Sequence, residues 1–99
     1  STIIASGNTS FIDNISHSSG GAIMVTRAST LIASGSTMFR GNHADFDGGA
    51  IQAEIGSKVN IEGGAIFLRN SADTLGGAIS GNSGASLTVS GTTSFISNT

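Results

Sequence analysis

Apolar residues return along this 99-residue chain on two periods, one of 28 residues and one of two. Phe11, Phe39, Phe67 and Phe95 stand 28 apart, as do Asn14, Asn42, Asn70 and Asn98. Gly7, Gly35, Gly63 and Gly91 keep the same spacing, and so does the aliphatic column Ile3, Leu31, Val59 and Leu87. The tetrapeptide Gly-Gly-Ala-Ile recurs at 20–23, 48–51 and 76–79, with no insertion or deletion between copies. Inside each unit the shorter period appears. Positions 3 and 5 and their equivalents are apolar, while position 4 mixes Ile with Asn60 and Thr88. Position 23 is always Ile and position 25 gives Val25, Ala53 and Gly81, with Met24, Gln52 or Ser80 between them. Alternation of this kind marks strands with one buried face. A helical repeat is rejected, because each of the many Gly residues would cost a helix roughly 1 kcal/mol.

Short strands separated by Gly, Asn and Ser at a fixed period predict one coil of a solenoid. The fold class is all-β: a right-handed parallel β-helix of about 3.5 coils of 28 residues, with three short strands per coil. Strands are expected near 3–6, 9–12 and 21–26, repeating by 28. Right-handedness follows from the rule for parallel crossovers. Equivalent residues should then stack at the strand spacing of about 4.8 Å, making the pile roughly 17 Å tall. The Phe column becomes an internal aromatic stack, and the Asn column an amide ladder at a corner. Gly20, Gly48 and Gly76 supply a second corner with positive φ, beside the invariant Ile23, Ile51 and Ile79. Gly56 and Gly84 point to a third turn, with Ala28 in their column. As a domain, 1–99 reads as a single segment with repeats 1–28, 29–56, 57–84 and a partial 85–99. Neither end carries the atypical polar unit that caps a solenoid, so a piece of a longer solenoid is expected.

Composition narrows the picture. The chain has 15 Gly, 17 Ser and 10 Thr, yet 37% hydrophobic residues, including 12 Ile and 5 Phe. Disordered Gly/Ser chains lack those aliphatic residues. Charged residues are only 10% and the net charge is −2, which excludes a basic nucleic-acid surface. Pro, Cys, Trp and Tyr are absent, so disulfides, thiolate zinc sites and cysteine nucleophiles are excluded. No apolar run is long enough to span a bilayer as a helix.

The pairing of Phe-x-x-Asn (Phe11–Asn14, Phe39–Asn42, Phe67–Asn70, Phe95–Asn98) with Gly-Gly-Ala-Ile resembles the repeat of the chlamydial polymorphic membrane proteins. Seven such elements in register cover essentially the whole chain. The resemblance implies an autotransporter passenger: a right-handed parallel β-helix displayed at the cell surface and used in adhesion to host cells. Such proteins add a signal peptide and an outer-membrane barrel, expected here in regions outside these residues. The resemblance carries no catalytic residues with it.

Three groups of positions are candidates for function. The Asn ladder and the Gly-Gly pairs read as structural, since no helix or Lys follows the glycines to make a phosphate cradle. His17, Asp45 and Asp73 share a column, with His43 and Asp47 near in sequence. Stacked carboxylates suggest calcium or acid–base chemistry of the kind found in polysaccharide-cleaving β-helices. Two carboxylates without a third ligand in phase make a poor cage, however, and a solvated flank is the expectation. Alternation turns positions 10 and 12 outward, giving Ser10, Met38, Ile66, Ser94 and Ile12, Arg40, Leu68, Ile96. Met38, Ile66, Ile12, Leu68 and Ile96 form a candidate interface. No catalytic, metal or cofactor residue is assigned, and no cofactor is expected.

The expected function is non-enzymatic: a cell-surface adhesin or passenger stalk. A structural subunit of an extracellular filament, built by end-to-end stacking of coils, is the alternative, ahead of a carbohydrate-active β-helix enzyme. The expected partner is a protein or glycan at a cell surface, or another copy along the solenoid axis. Neither nucleic acid nor membrane insertion of this segment is expected. Localisation is expected to be extracellular or cell-surface, with the outer-membrane anchor elsewhere.

Overall fold

A computed structural model describes residues 2–81, 84–90 and 94–99. Gly91, which closes one of the columns above, lies outside the described residues. The first coil holds β1 (Thr2–Ala5), β2 (Asn8–Ile12), β3 (Ile15–Ser16) and β4 (Ile23–Val25). The second holds β5 (Thr30–Ala33), β6 (Ser36–Arg40), β7 (His43–Ala44) and β8 (Ile51–Ala53). The third holds β9 (Lys58–Ile61), β10 (Ile66–Leu68), β11 (Ser71–Ala72) and β12 (Ile79–Gly81), and β13 (Ser86–Val89) and β14 (Ser94–Ile96) begin a fourth. Each strand pairs in parallel with its equivalent 28 residues away, as in Ile3↔Leu31, Phe11↔Phe39 and Ile23↔Ile51. Four parallel sheets result, in the orders β1-β5-β9-β13, β2-β6-β10-β14, β3-β7-β11 and β4-β8-β12. The chain is a parallel β-solenoid whose smallest dimension, 16 Å, matches a few strand spacings.

The three strands expected per coil are present within a residue or two, and the coil carries a fourth. Ile15–Ser16, His43–Ala44 and Ser71–Ala72 are only two residues long, too short for alternation to show in the sequence. The segment expected at 21–26 contracts to Ile23–Val25, because Gly20 and Gly21 form the corner that feeds it.

Burial follows the two-residue period on β5, β6 and β9 and departs from it on β8, where Gln52 is as buried as Ile51 and Ala53. Leu31 and Ala33, Thr37 and Phe39, Ala44, and Ile51 and Ala53 point inward from the four walls of the second coil. The Phe rings stack nearly parallel, with centroids 4.8, 4.7 and 4.7 Å apart, and Phe39 and Phe67 are fully buried. Removing one such ring from water stabilises the fold by roughly 1.5–3 kcal/mol.

Glycine is needed at the second corner for two reasons. Gly20, Gly48 and Gly76 have φ of 70°, 68° and 63°, which non-Gly residues adopt at a penalty. Their neighbours Gly21 and Gly49 lie beneath the next coil. A Cβ on Gly49 would overlap the Gly77 carbonyl and the backbone of Ser71. At the third turn Ala28, Gly56 and Gly84 also have positive φ.

A further left-handed column has no glycine signature. Asp13, Gly41, Arg69 and Ser97, each just before a ladder Asn, have φ of 56°, 66°, 55° and 53°. The ladder accounts for this bend. Asn42 Oδ1 accepts from both the backbone N–H and the Nδ2 of Asn14, and Asn42 Nδ2 donates to Phe11 O and to Asn70 Oδ1. Asn70 repeats the pattern between Phe39 O and Asn98 Oδ1. Each amide thus clamps a bent corner to the coils above and below it.

Candidate functional site

Beyond the Asn corner the chain turns outward. On the short sheet β3-β7-β11, positions 15, 43 and 71 face away from the core, and Ala44 faces into it. The next outward position is two residues on. The exposed flank is therefore a grid of Ile15 and His17, then His43 and Asp45, then Ser71 and Asp73, stacked coil on coil. Sequence phase alone put His17, Asp45 and Asp73 in one column. The structure adds His43, which shares a strand face with Asp45. The signal available in the sequence was the i, i+2 spacing of His43 and Asp45, readable only once the two-residue strand was known.

Contacts on this flank run both along columns and between them. His17 Nδ1 lies 3.2 Å from Asp45 Oδ2. His43 Nε2 lies 3.4 Å from Asp45 Oδ1 and 3.6 Å from Asp73 Oδ1. The other ring nitrogen, His43 Nδ1, is hydrogen-bonded to Ser71 Oγ at 2.7 Å. One atom each from His43, Asp45 and Asp73 lies within 4.8 Å of the other two. No third ligand shares the phase of Asp45 and Asp73, but His43 of the adjacent column stands close to both carboxylates. Asp47 is not in this group. Its backbone bridges to Leu75, and its Oδ1 is buried without a hydrogen-bond partner.

The second outward surface is the sheet β2-β6-β10-β14. Met38, Ile66 and Leu68 are half-buried on it, while Ile12 and Ile96 are 41% and 49% exposed. Arg40 interrupts the stripe between Ile12 and Leu68. The five apolar residues lie on one face, in adjacent strands.

The Asn ladder leaves no free group for a ligand at Asn42. Every hydrogen-bonding group of the Asn42 side chain is engaged inside the ladder. A cavity of about 80 Å³ lies where the inward column tapers from Val25 through Ala53 to Gly81, bordered by Val59, Ile79 and Leu87. It is well below the roughly 300 Å³ at which small-molecule pockets begin.

Fold and surface together define a class: a repeat protein built as a parallel β-solenoid, with Phe and Asn ladders inside and varied outward columns. Residues 8–26, 36–54 and 65–82 match the Chlamydia polymorphic membrane protein repeat, together more than half of the chain. The chain belongs to that repeat family, whose proteins are non-enzymatic and associated with the outer membrane or cell surface. No curated protein and no solved structure matches it.

Proposed function

We propose that the chain is a passenger-type rod that presents adhesive positions at a cell surface. The observation that carries this reading is the division of labour across an unbroken 28-residue register. The Phe and Asn columns, which repeat identically, hold coils together, and the widest changes in polarity fall on outward columns such as Ile15, His43 and Ser71. A solenoid of this design grows in length without changing its cross-section, which suits a stalk. Its broad apolar stripe over Met38, Ile66 and Leu68 is the face proposed to meet a protein or glycan partner. The family match supports a surface location, with anchoring through other regions of the protein.

The test is attachment. Beads coated with the chain should bind host cells, and the triple change Met38→Ser, Ile66→Ser, Leu68→Ser should reduce binding tenfold or more while the far-ultraviolet circular dichroism is unchanged. Bare-bead levels of attachment by the unmodified chain would overturn the adhesive reading. A competing reading is a filament subunit, in which the same 28-residue register continues from chain to chain. Sedimentation separates the two: a rod piece stays at its monomer mass, and a filament subunit polymerises with concentration.

A further inference from the structure

We propose that the outward flank of β7 and β11 is a binding site for a divalent transition-metal ion of the zinc class, held by His43, Asp45 and Asp73. Its donor set is mixed: one imidazole nitrogen and two carboxylate oxygens, converging from two successive coils. This composition suits Zn²⁺ or Co²⁺. Calcium and magnesium prefer six or more oxygens and gain little from an imidazole.

The geometry fits as well as the chemistry. In a tetrahedral site with metal–ligand bonds of about 2.0–2.1 Å, neighbouring ligand atoms stand about 3.3–3.4 Å apart. His43 Nε2 stands 3.4 Å from Asp45 Oδ1 and 3.6 Å from Asp73 Oδ1. The three atoms lie within 4.8 Å of one another, so binding one ion requires the exposed Asp73 carboxylate to close on the other two. The imidazole is held from behind by the 2.7 Å hydrogen bond between Nδ1 and Ser71 Oγ; in the tautomer with Nδ1–H donating, Nε2 is the atom left to bind an ion. A hydrogen-bonded second nitrogen is the usual companion of a metal-bound His.

A structural reason adds to this. The solenoid register stacks Asp45 directly beneath Asp73, and two carboxylates at strand spacing repel each other. A cation between them reverses that term. His17, whose side chain is 92% exposed, contacts the other oxygen of Asp45 and stands outside the group of three. The alternative state of the flank, with the same three side chains joined by a protonated His43, is what the experiment must separate.

The experiment uses the full chain, without a polyhistidine tag, stripped with chelator and titrated with ZnCl₂ and CoCl₂ by calorimetry and visible absorption. The expected result is saturation at one ion per chain, visible absorption of tetrahedral Co²⁺, and no heat from MgCl₂ or CaCl₂. His43→Ala and Asp73→Asn should each abolish saturable binding, and Ser71→Ala should weaken it about 10–100-fold. Zinc-edge X-ray absorption of the unmodified chain provides a readout that does not depend on any variant folding. It should report a shell of imidazole nitrogen and carboxylate oxygen at about 2.0–2.2 Å. Absence of saturable zinc binding, or binding undiminished in folded His43→Ala, would overturn the site and leave a protonated histidine bridging two carboxylates.

Discussion

Asn42 and His43 are neighbours in sequence, and the two obey opposite rules. Asn42 is buried, and its column reads Asn in every coil. Its amide satisfies two backbone groups of the preceding coil and joins the next Asn. A change there would orphan several groups at once. His43 lies one residue outward, and its column reads Ile15, His43, Ser71 and Thr99. Its side chain touches the next coil only through the Ser71 hydroxyl and the Asp73 carboxylate, on the outward flank. The difference teaches where selection for folding ends on this molecule: one residue separates a position dictated by its neighbours above and below from one free to carry chemistry.

Several substitutions sharpen or break this contrast. The largest effect is expected at Gly49, where an added methyl meets the backbone of the next coil rather than a yielding side chain. Gly49→Ala should lose more than about 4 kcal/mol, seen as an absent or strongly lowered urea transition. Phe67→Ala removes the middle of the ring stack, and its unfolding free energy should fall by about 3–5 kcal/mol. Asn70→Ala leaves Phe39 O and the Asn42 N–H without their partners. Each orphaned group costs about 1–3 kcal/mol, so a loss near 3 kcal/mol is expected in the same titration. Arg69→Gly goes the other way. Arg69 holds a left-handed φ of 55° at an exposed corner, and relieving it should raise stability by up to about 1 kcal/mol. Smallest of all is Asp73→Asn in the presence of chelator, expected within about 0.5 kcal/mol of the parent. A large loss there would mean that the outward flank also holds the fold.

Much of the interior was legible because identical residues at a fixed spacing can stack only one way in a parallel solenoid. Phe11 to Phe95 pointed to a ring stack, and the rings lie at strand spacing. The alternation around Phe39 and around Ile51 placed two walls of the coil. The short sheet escaped notice because Ile15–Ser16 and its equivalents have no third residue to establish a period. The left-handed corner at Asp13, Arg69 and Ser97 escaped because its conformation is imposed by the Asn that follows rather than by glycine. Residues 63–66 show the limit of motif reading. They too read Gly-Gly-Ala-Ile, but they lie at the entry to β10, where Ile66 turns outward while Ile51 of the in-phase copy turns inward. Phase, not the tetrapeptide, decides the facing. The His43–Asp45–Asp73 flank was half legible for the same reason: its column was visible, and its strand was not.

The central claim is that a strict 28-residue register makes each coil an independent, stackable unit. Inserting a second copy of residues 29–56 after residue 56 tests it most directly, against a control copy shortened by one residue. Urea unfolding should show the 28-residue insertion raising the midpoint above that of the parent, as added nearest-neighbour interfaces require. The 27-residue insertion should lower it or abolish cooperative unfolding, since a one-residue slip turns inward side chains outward. Equal midpoints for the two insertions would contradict the account.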